Sequence, residues 1–210
     1  MDKSKTQTEL WYSDNENDWL SAEEKYWKVI SPKNLELEKY LEEIDPEYIK
    51  SLKANEFYTF LYDKYYVWKY TQKNRLATTR IHLQKHLDNL SELDDIKNAL
   101  FEFDKNQIQT GLETAKRIKG LGVAGASGLL SILFPKYFGT VDQFVVKTLL
   151  EIDDLPERNI LKSMHAESLS IKDGVILERV LREKALDLNK RFNTDYWTPR
   201  KVDKVLWATR

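Results

Sequence analysis

The spacing of apolar residues constrains this chain more than any other feature, because it follows the α-helical period almost throughout. In the stretch ELEKYLEEI, apolar residues recur at intervals of three and four, at Leu37, Tyr40, Leu41 and Ile44. Such residues share one helix face, and VDQFVVKTLLEI and DGVILERVLREKALDLNKRF repeat the pattern. No run of alternating β-branched residues indicates a strand. We therefore predict an all-α fold, whose last helix begins after Thr198 because a proline follows at the first helical position.

Composition supports a buried core and excludes several kinds of site. The chain has 210 residues, of which 41% are hydrophobic and 12% aromatic, enough for one compact domain or two small lobes. It has no cysteine, which excludes disulfides, iron–sulfur clusters and a cysteine nucleophile. The first ten residues, MDKSKTQTEL, lack a signal-peptide core, and no apolar run approaches the roughly 20 residues of a membrane span. We therefore expect a cytoplasmic protein without a membrane partner.

A basic segment lies between Lys64 and His86, although the formal net charge of the chain is only −1. No acid occurs in the segment, and tyrosines and a tryptophan interleave with its basic residues. The segment could bind a polyanion, but taken alone its pattern favours a helix with a solvated basic face and a buried aromatic face. His82 and His86 have the spacing of a helical zinc pair but no HExxH glutamate. We expect both on the exposed basic face.

The glycine-rich stretch IKGLGVAGASG raises the question of a nucleotide site. Gly120, Gly122 and Gly125 have the GxGxxG spacing of a dinucleotide-binding turn. That fingerprint must follow a β-strand, whereas the preceding residues, LETAKRIK, have helical spacing. We therefore expect no nucleotide cofactor, and a helix, a tight turn and a second helix remain.

A helical hairpin of this kind can bind a phosphate group. Gly120 and Gly122 leave no side chain between the backbone and an approaching anion, and the first amides of the next helix, around Ala124, point outward with the helix dipole. Lys119 would add positive charge. The hairpin therefore predicts a DNA phosphate site, although a plain αα-turn with a glycine C-cap has the same sequence.

The residues after the turn resemble a known family. The segment GLGVAGASGLLSILFPKYFGTVDQFVVKTLL is similar to the hairpin and Gly/Pro-Asp segment of the helix-hairpin-helix superfamily of base-excision DNA glycosylases. In that family a catalytic Asp opens the helix after the loop, and Asp142 has this position. TQKNRLATT resembles the Ser-Gln-Gln-x-x-x-Ala-Thr type of loop and helix that these enzymes push into the duplex. WTPRKVDKVLW resembles the C-terminal helix of the subgroup related to 8-oxoguanine glycosylases. The likeness covers residues 71–150 and 197–207.

The chain departs from the family pattern in three respects, one of which is an interval between TQKNRLATT and the glycine turn that is shorter than in most relatives. Asp142 is followed by Gln143, Phe144 and Val145, where family members usually have a small residue, His and Val. Ala124 stands where bifunctional members carry the lysine that forms a Schiff base with the sugar. The resemblance therefore implies a monofunctional glycosylase without lyase activity.

The resemblance also implies the arrangement of the enzyme. Residues 71–150 would form one helical lobe with the hairpin, residues 1–70 and 151–210 the other, and a cleft would separate them. Asp142 would stabilise the positive charge that develops on the sugar when the C–N bond breaks. An ordinary helix N-cap is the alternative for this residue, and it can serve both purposes.

Removal of a base requires a wedge, phosphate contacts and a pocket, because the base must leave the stack. The wedge candidates are Gln72, Lys73 and Asn74. Phosphate contacts with salt-dependent affinity are expected from Lys69, Arg75 and Arg80. The pocket candidates are Phe144 and Trp207, with core packing as the alternative. No cofactor is required, but family members often bind a monovalent cation through hairpin carbonyls, here those around Gly120 and Gly122.

Several functions remain open within these expectations. The C-terminal resemblance favours 8-oxoguanine opposite cytosine as substrate, and a hypermodified phage pyrimidine, removed in antiphage defence, is the alternative. A non-catalytic hairpin module that positions another protein on DNA would need no cleft at Asp142. An interaction protein that uses its aromatic N-terminal helices is a third possibility. We expect a monomer that acts on double-stranded DNA in the nucleoid.

Overall fold

Every regular element in the part of the chain that the structure describes is helical. The structure is a computed structural model that describes residues 5–210, and the prediction of an all-α fold is confirmed. The elements are α1 (Gln7–Trp11), α2 (Glu16–Val29), α3 (Pro32–Glu42), α4 (Pro46–Ser51), α5 (Ala54–Phe60), a π-helical segment (Leu61–Tyr65), α6 (Tyr66–Lys69), α7 (Lys73–Gln84), α8 (Leu90–Glu102), α9 (Ile108–Lys116), α10 (Val123–Leu133), α11 (Gln143–Leu150), α12 (Arg158–Lys162), α13 (Ile171–Phe192) and α14 (Pro199–Ala208).

Short polar side chains determine where several of these helices begin. Thr198 caps α14 by accepting a hydrogen bond from the amide of Lys201 at 3.3 Å, and Pro199 is the first helical residue. Asp142 caps α11 in the same manner. Such caps satisfy amides that have no partner within the helix. The predicted helix starts after Thr198 and Asp142 are confirmed.

Buried side chains form two apolar clusters. The first cluster is built mainly by α3 to α10 and includes Phe57, Tyr65 and Leu129. The second cluster joins α1 and α2 to α11–α14 and includes Trp19, Val145 and Trp197. Full burial of one such side chain stabilises the fold by roughly 1.5–3 kcal/mol. The first cluster contains residues of α3–α6 together with residues of the hairpin helices α9 and α10. The division into two lobes with boundaries at residues 70 and 150 stays a prediction.

Contacts between distant parts of the chain bring the N-terminal helices beside the last one. Helix α14 packs against α2 and α13, and the rings of Tyr26 and Trp207 meet edge to face with centroids 5.4 Å apart. Arg200 is buried on α14 and donates hydrogen bonds to Glu42 at 2.9 Å and Glu38 at 3.4 Å on α3. Helices α2, α3 and α14 therefore form a fixed frame.

Candidate active site

A cavity of about 440 Å³ opens within this frame. Its lining comes from α2, α3, α6, α11, α14 and the loop before α11. Of the residues that the sequence predicts for a glycosylase site, the cavity brings together Asp142, Lys69, Phe144 and Trp207. Its volume lies within the range of small-molecule pockets, roughly 300–1,000 Å³.

The Asp142 carboxylate is held from two directions. Its Oδ1 accepts hydrogen bonds from the amides of Phe144 at 2.9 Å and Val145 at 3.4 Å. Its Oδ2 lies 3.3 Å from the Lys69 ammonium, and the side chains of Lys69 and Asp142 are 10% and 21% exposed. The two amides and the ammonium fix the orientation of the carboxylate, while its exposed part faces the cavity. Lys69, predicted to contact phosphate, is turned toward Asp142 instead.

Buried side chains also position the loop that leads to Asp142. Three consecutive amides donate hydrogen bonds of 3.0 Å to side-chain oxygens, from Gly139 to Glu178, from Thr140 to Asp203 and from Val141 to Ser127. Because all three acceptors are buried, the backbone before the cap is tied to α13, α14 and α10. The position of Asp142 is therefore set by the core.

Asp203 is a residue of the cavity that the sequence reasoning missed. It lines the same cavity as Asp142 and is 8% exposed. Burial above all, and then the nearby charge of Asp142, raises the pKa of the Asp203 carboxyl to about 7. The signal in the sequence is an acid three residues before Leu206 and four before Trp207, on the helix face that turns toward the protein.

Aromatic rings form another part of the cavity wall. The Arg210 guanidinium lies 4.0 Å from the centroid of the Phe144 ring and 4.2 Å from that of the Trp207 ring. Phe144 is 37% exposed. The Arg210 guanidinium therefore contacts both predicted pocket residues, and aromatic faces of this kind can stack on a nucleobase.

The glycine turn joins α9 to α10, and its first glycine is required by geometry. Gly120 has a φ of +100°, and a Cβ there would lie 2.7 Å from the carbonyl oxygen of Thr79 on α7. Any side chain at this position would be strained and would clash. The helix that carries the wedge candidates thus packs directly on the turn.

Gly122, in contrast, is exposed and open to the solvent. It is the N-cap of α10, and a Cβ there would meet nothing within 4 Å. The first hydrogen bond of α10 runs from the amide of Ala126 to the Gly122 carbonyl at 2.8 Å. The amides of residues 123–125 therefore have no hydrogen-bond acceptor within the helix. Unpaired amides at a helix N-terminus form a site for an anion.

The structure offers no argument for the predicted monovalent cation. The Gly120 carbonyl accepts a hydrogen bond from the Tyr70 hydroxyl at 3.2 Å. The Gly122 carbonyl accepts a hydrogen bond from the backbone amide of Ala126. Neither oxygen lacks a partner. Residues 5–210 contain no cluster of three His, Cys, Asp or Glu side chains that could hold a metal ion. The cation stays a prediction.

The remaining predicted DNA contacts divide into exposed and internal side chains. Gln72, Lys73, Asn74 and Arg75 are exposed at the start of α7. Arg80 instead donates two hydrogen bonds to the Tyr62 carbonyl, at 3.1 and 2.6 Å, and stacks on the Tyr62 ring. The Lys119 ammonium lies 2.8 Å from Glu92. Among the predicted phosphate-binding cations, Arg75 is thus the exposed residue, whereas Lys69, Arg80 and Lys119 are partly buried.

His86 does not lie on the exposed basic face, and that prediction is wrong. Its side chain is fully buried, and its Nε2 accepts a hydrogen bond from the backbone amide of Lys119, in the hairpin, at 2.9 Å. Burial, together with the nearby Lys119 charge, lowers the pKa of His86, while Glu92 opposes this shift. His82 is exposed as predicted. A neutral His86 thus anchors the hairpin.

Acid is expected to destabilise the protein through His86. Because the folded pKa is below the unfolded value of about 6.5, the unfolded state takes up the proton first as the pH falls through that value, and stability is lost. Above about pH 6.5 this contribution is constant. Urea denaturation between pH 7.5 and 5.5 should show a steeper loss for the wild type than for His86→Gln, which keeps an acceptor but does not titrate. Parallel curves would contradict the assignment.

Comparison with models of known protein families, with curated proteins and with solved structures found no match to this chain. No helix within residues 5–210 has both the length and the apolar character needed to cross a membrane. Inference about function therefore rests on the chain's own residues and on the resemblance of its motifs.

Proposed function

We propose that this chain is a monofunctional DNA N-glycosylase, which removes a damaged or modified base from double-stranded DNA. The observation that carries the proposal is the position of Asp142. It caps a helix shortly after a glycine hairpin and faces a cavity that aromatic side chains line. The resemblance to helix-hairpin-helix glycosylases names the same residue and the same order of elements.

The proposed chemistry assigns one task to each part of the site. The amides at the start of α10 hold a DNA phosphate beside Gly122. The extruded base enters the cavity and stacks on Phe144 or Trp207. Asp142 lies against the sugar, where its carboxylate stabilises the positive charge that forms at C1′ as the C–N bond breaks. Water then adds to C1′ and leaves an abasic site.

Close packing links the hairpin to the reacting carboxylate, which supports a common role. Gly128 on α10 faces α6, where a Cβ would lie 2.8 Å from the Tyr65 hydroxyl and 3.3 Å from Cδ of Lys69. Lys69 in turn contacts Asp142. A phosphate fixed at the N-terminus of α10 would therefore be held at a set distance from Asp142. Such positioning of the substrate accounts for much of enzymatic rate enhancement.

The substrate is tested with a panel of fluorescent duplexes that differ in one base. Each duplex is incubated with the protein and then treated with alkali, which cleaves the strand at an abasic site. We propose 8-oxoguanine opposite cytosine as the substrate. Cleavage at glucosylated hydroxymethylcytosine but not at 8-oxoguanine would mean that the substrate is a modified phage pyrimidine. The protein would then be a defence enzyme. Binding without excision of any base would favour the non-catalytic DNA-binding module.

The proposed partner and location follow from the substrate. Double-stranded DNA is the partner, the protein acts as a monomer, and its place of action is the nucleoid in the cytoplasm. No nucleotide cofactor takes part, because the glycine turn lies between two helices and not after a β-strand.

Borohydride is expected to trap no covalent adduct between the protein and a duplex with a preformed abasic site. Ala124 stands at the position of the Schiff-base lysine. The amine nearest to Asp142 is Lys69, and its ammonium is engaged by that carboxylate at 3.3 Å, whereas a Schiff base requires a neutral amine. Denaturing gel electrophoresis of the reduced mixture measures the adduct.

Two lysine variants show which amine acts if an adduct forms. Lys69→Met removes the amine in the cavity, and Lys136→Met removes an exposed one. An adduct given by the wild type and by Lys136→Met, but not by Lys69→Met, would contradict the monofunctional proposal and identify Lys69 as the amine.

A further inference from the structure

Two carboxyl groups share the cavity but have different surroundings. Asp142 is ion-paired with Lys69 and accepts two amide hydrogen bonds. Asp203 is more deeply buried, and no ion pair with a residue of the described range involves it. Its Oδ2 accepts one hydrogen bond, from the Thr140 amide at 3.0 Å. Neighbouring carboxyl groups with such unequal environments are typical of acid and base pairs in enzymes.

We propose that Asp203 is a second catalytic carboxyl group, which donates a proton to the departing base while Asp142 stabilises the sugar. This inference rests on the proposed glycosylase function. The electron pair of the C1′–N bond goes to the base, and the Asp203 proton neutralises the negative charge that would develop there. The water that adds to C1′ releases one proton, which restores the Asp203 carboxyl through the solvent. Atoms and charges thus balance over one turnover.

The surroundings of Asp203 keep a substantial fraction of its carboxyl protonated near neutral pH. Its pKa of about 7 results from burial first and from the charge of Asp142 second, while the Thr140 hydrogen bond and two cations oppose the shift. The titratable and charged groups that interact electrostatically with Asp203 are Asp142, Lys69, Arg200, Tyr26 and Glu178, and Glu38 and Arg210 line the same cavity. A general acid acts best when its pKa lies near the working pH.

A purely structural role for Asp203 predicts different behaviour, because the residue also holds the loop before Asp142. Asp203→Asn separates the two roles. The amide oxygen of Asn can still accept the hydrogen bond from Thr140, so the loop stays anchored. The Asn side chain does not transfer a proton. Unchanged helical content and unchanged duplex affinity, by circular dichroism and fluorescence anisotropy, show that the variant is folded.

The experiment measures single-turnover excision between pH 5.5 and 9 on the duplex that the wild type cleaves, with 8-oxoguanine opposite cytosine first. The protonated acid is the active form, so the wild-type rate should fall as the pH rises through about 7. The rate of Asp203→Asn should be lower than that of the wild type by roughly 100- to 10,000-fold at pH 6, and it should show no such fall with pH. A wild-type rate that stays constant from pH 6 to 8.5 would overturn the inference without any variant.

The outcomes separate this inference from the proposed function. If the wild type excises the base and the excision rate of Asp203→Asn declines above pH 7 in the same way, Asp203 is not the acid. The proposed glycosylase function would then still stand. No excision of any base by the wild type would reject both. The matched variant Asp195→Asn, at an exposed acid before α14, should keep the wild-type rate and pH profile.

Discussion

Asp142→Asn is expected to lower the rate of base excision by at least about 100-fold while duplex binding is retained. Removal of one preorganised group that stabilises transition-state charge typically has this effect. The variant should fold, because Asn is also a good N-cap and its amide oxygen can accept the hydrogen bonds from Phe144 and Val145. Single-turnover excision with saturating enzyme measures the chemical step, and fluorescence anisotropy measures binding.

The chain offers a matched control for this substitution. Asp45 caps α4 by accepting a hydrogen bond from the backbone amide of Glu47 at 2.9 Å, and it does not line the cavity. Asp45→Asn makes the same chemical change at another helix start and should leave excision unchanged. If Asp142→Asn excises bases as fast as the wild type does, Asp142 is only a helix cap and the proposed function fails.

Local sequence signals were sufficient for the fold class and for individual helix starts. The three- and four-residue spacing predicts helices because it reflects burial of one face, and Thr198 and Asp142 begin helices because their side chains pair with free amides. The cavity depends on other information. It requires that α14 packs on α2, although the sequence gives no pattern that pairs residues 16–29 with residues 199–208.

The direction in which a charged side chain points was the main limit on predicting the site. Lys69 belongs to a basic segment that suits a solvated face, but its helix packs against α10 and turns the ammonium toward Asp142. His86 is buried because the hairpin amide of Lys119 needs an acceptor there. Tertiary packing decides whether such a side chain points to the solvent or into the protein. The composition of the segment is the same in both cases and does not distinguish them. The first 60 residues match no motif, yet Tyr26 and Glu38 line the cavity.

Gly122→Asp is expected to weaken duplex binding by on the order of 100-fold without loss of helix. A like charge placed against a phosphate costs several kcal/mol, and about 2.7 kcal/mol corresponds to a hundredfold change in Kd. The fold should tolerate the change, because a Cβ at Gly122 meets nothing within 4 Å and the residue has an ordinary φ of −83°. Asp is moreover a preferred N-cap. Fluorescence anisotropy and circular dichroism measure the two effects.

Gly122→Asn is the matched control, because it adds a side chain of the same size that caps equally well but carries no charge. Its loss of affinity should be clearly smaller than that of Gly122→Asp, since only steric hindrance remains. With Gly122→Asp the slope of log K against log salt concentration should also become shallower by about one, because the added carboxylate offsets one positive charge of the DNA-binding surface. Wild-type affinity in Gly122→Asp would mean that the hairpin is a structural turn and that the duplex contacts another surface, such as the exposed start of α7.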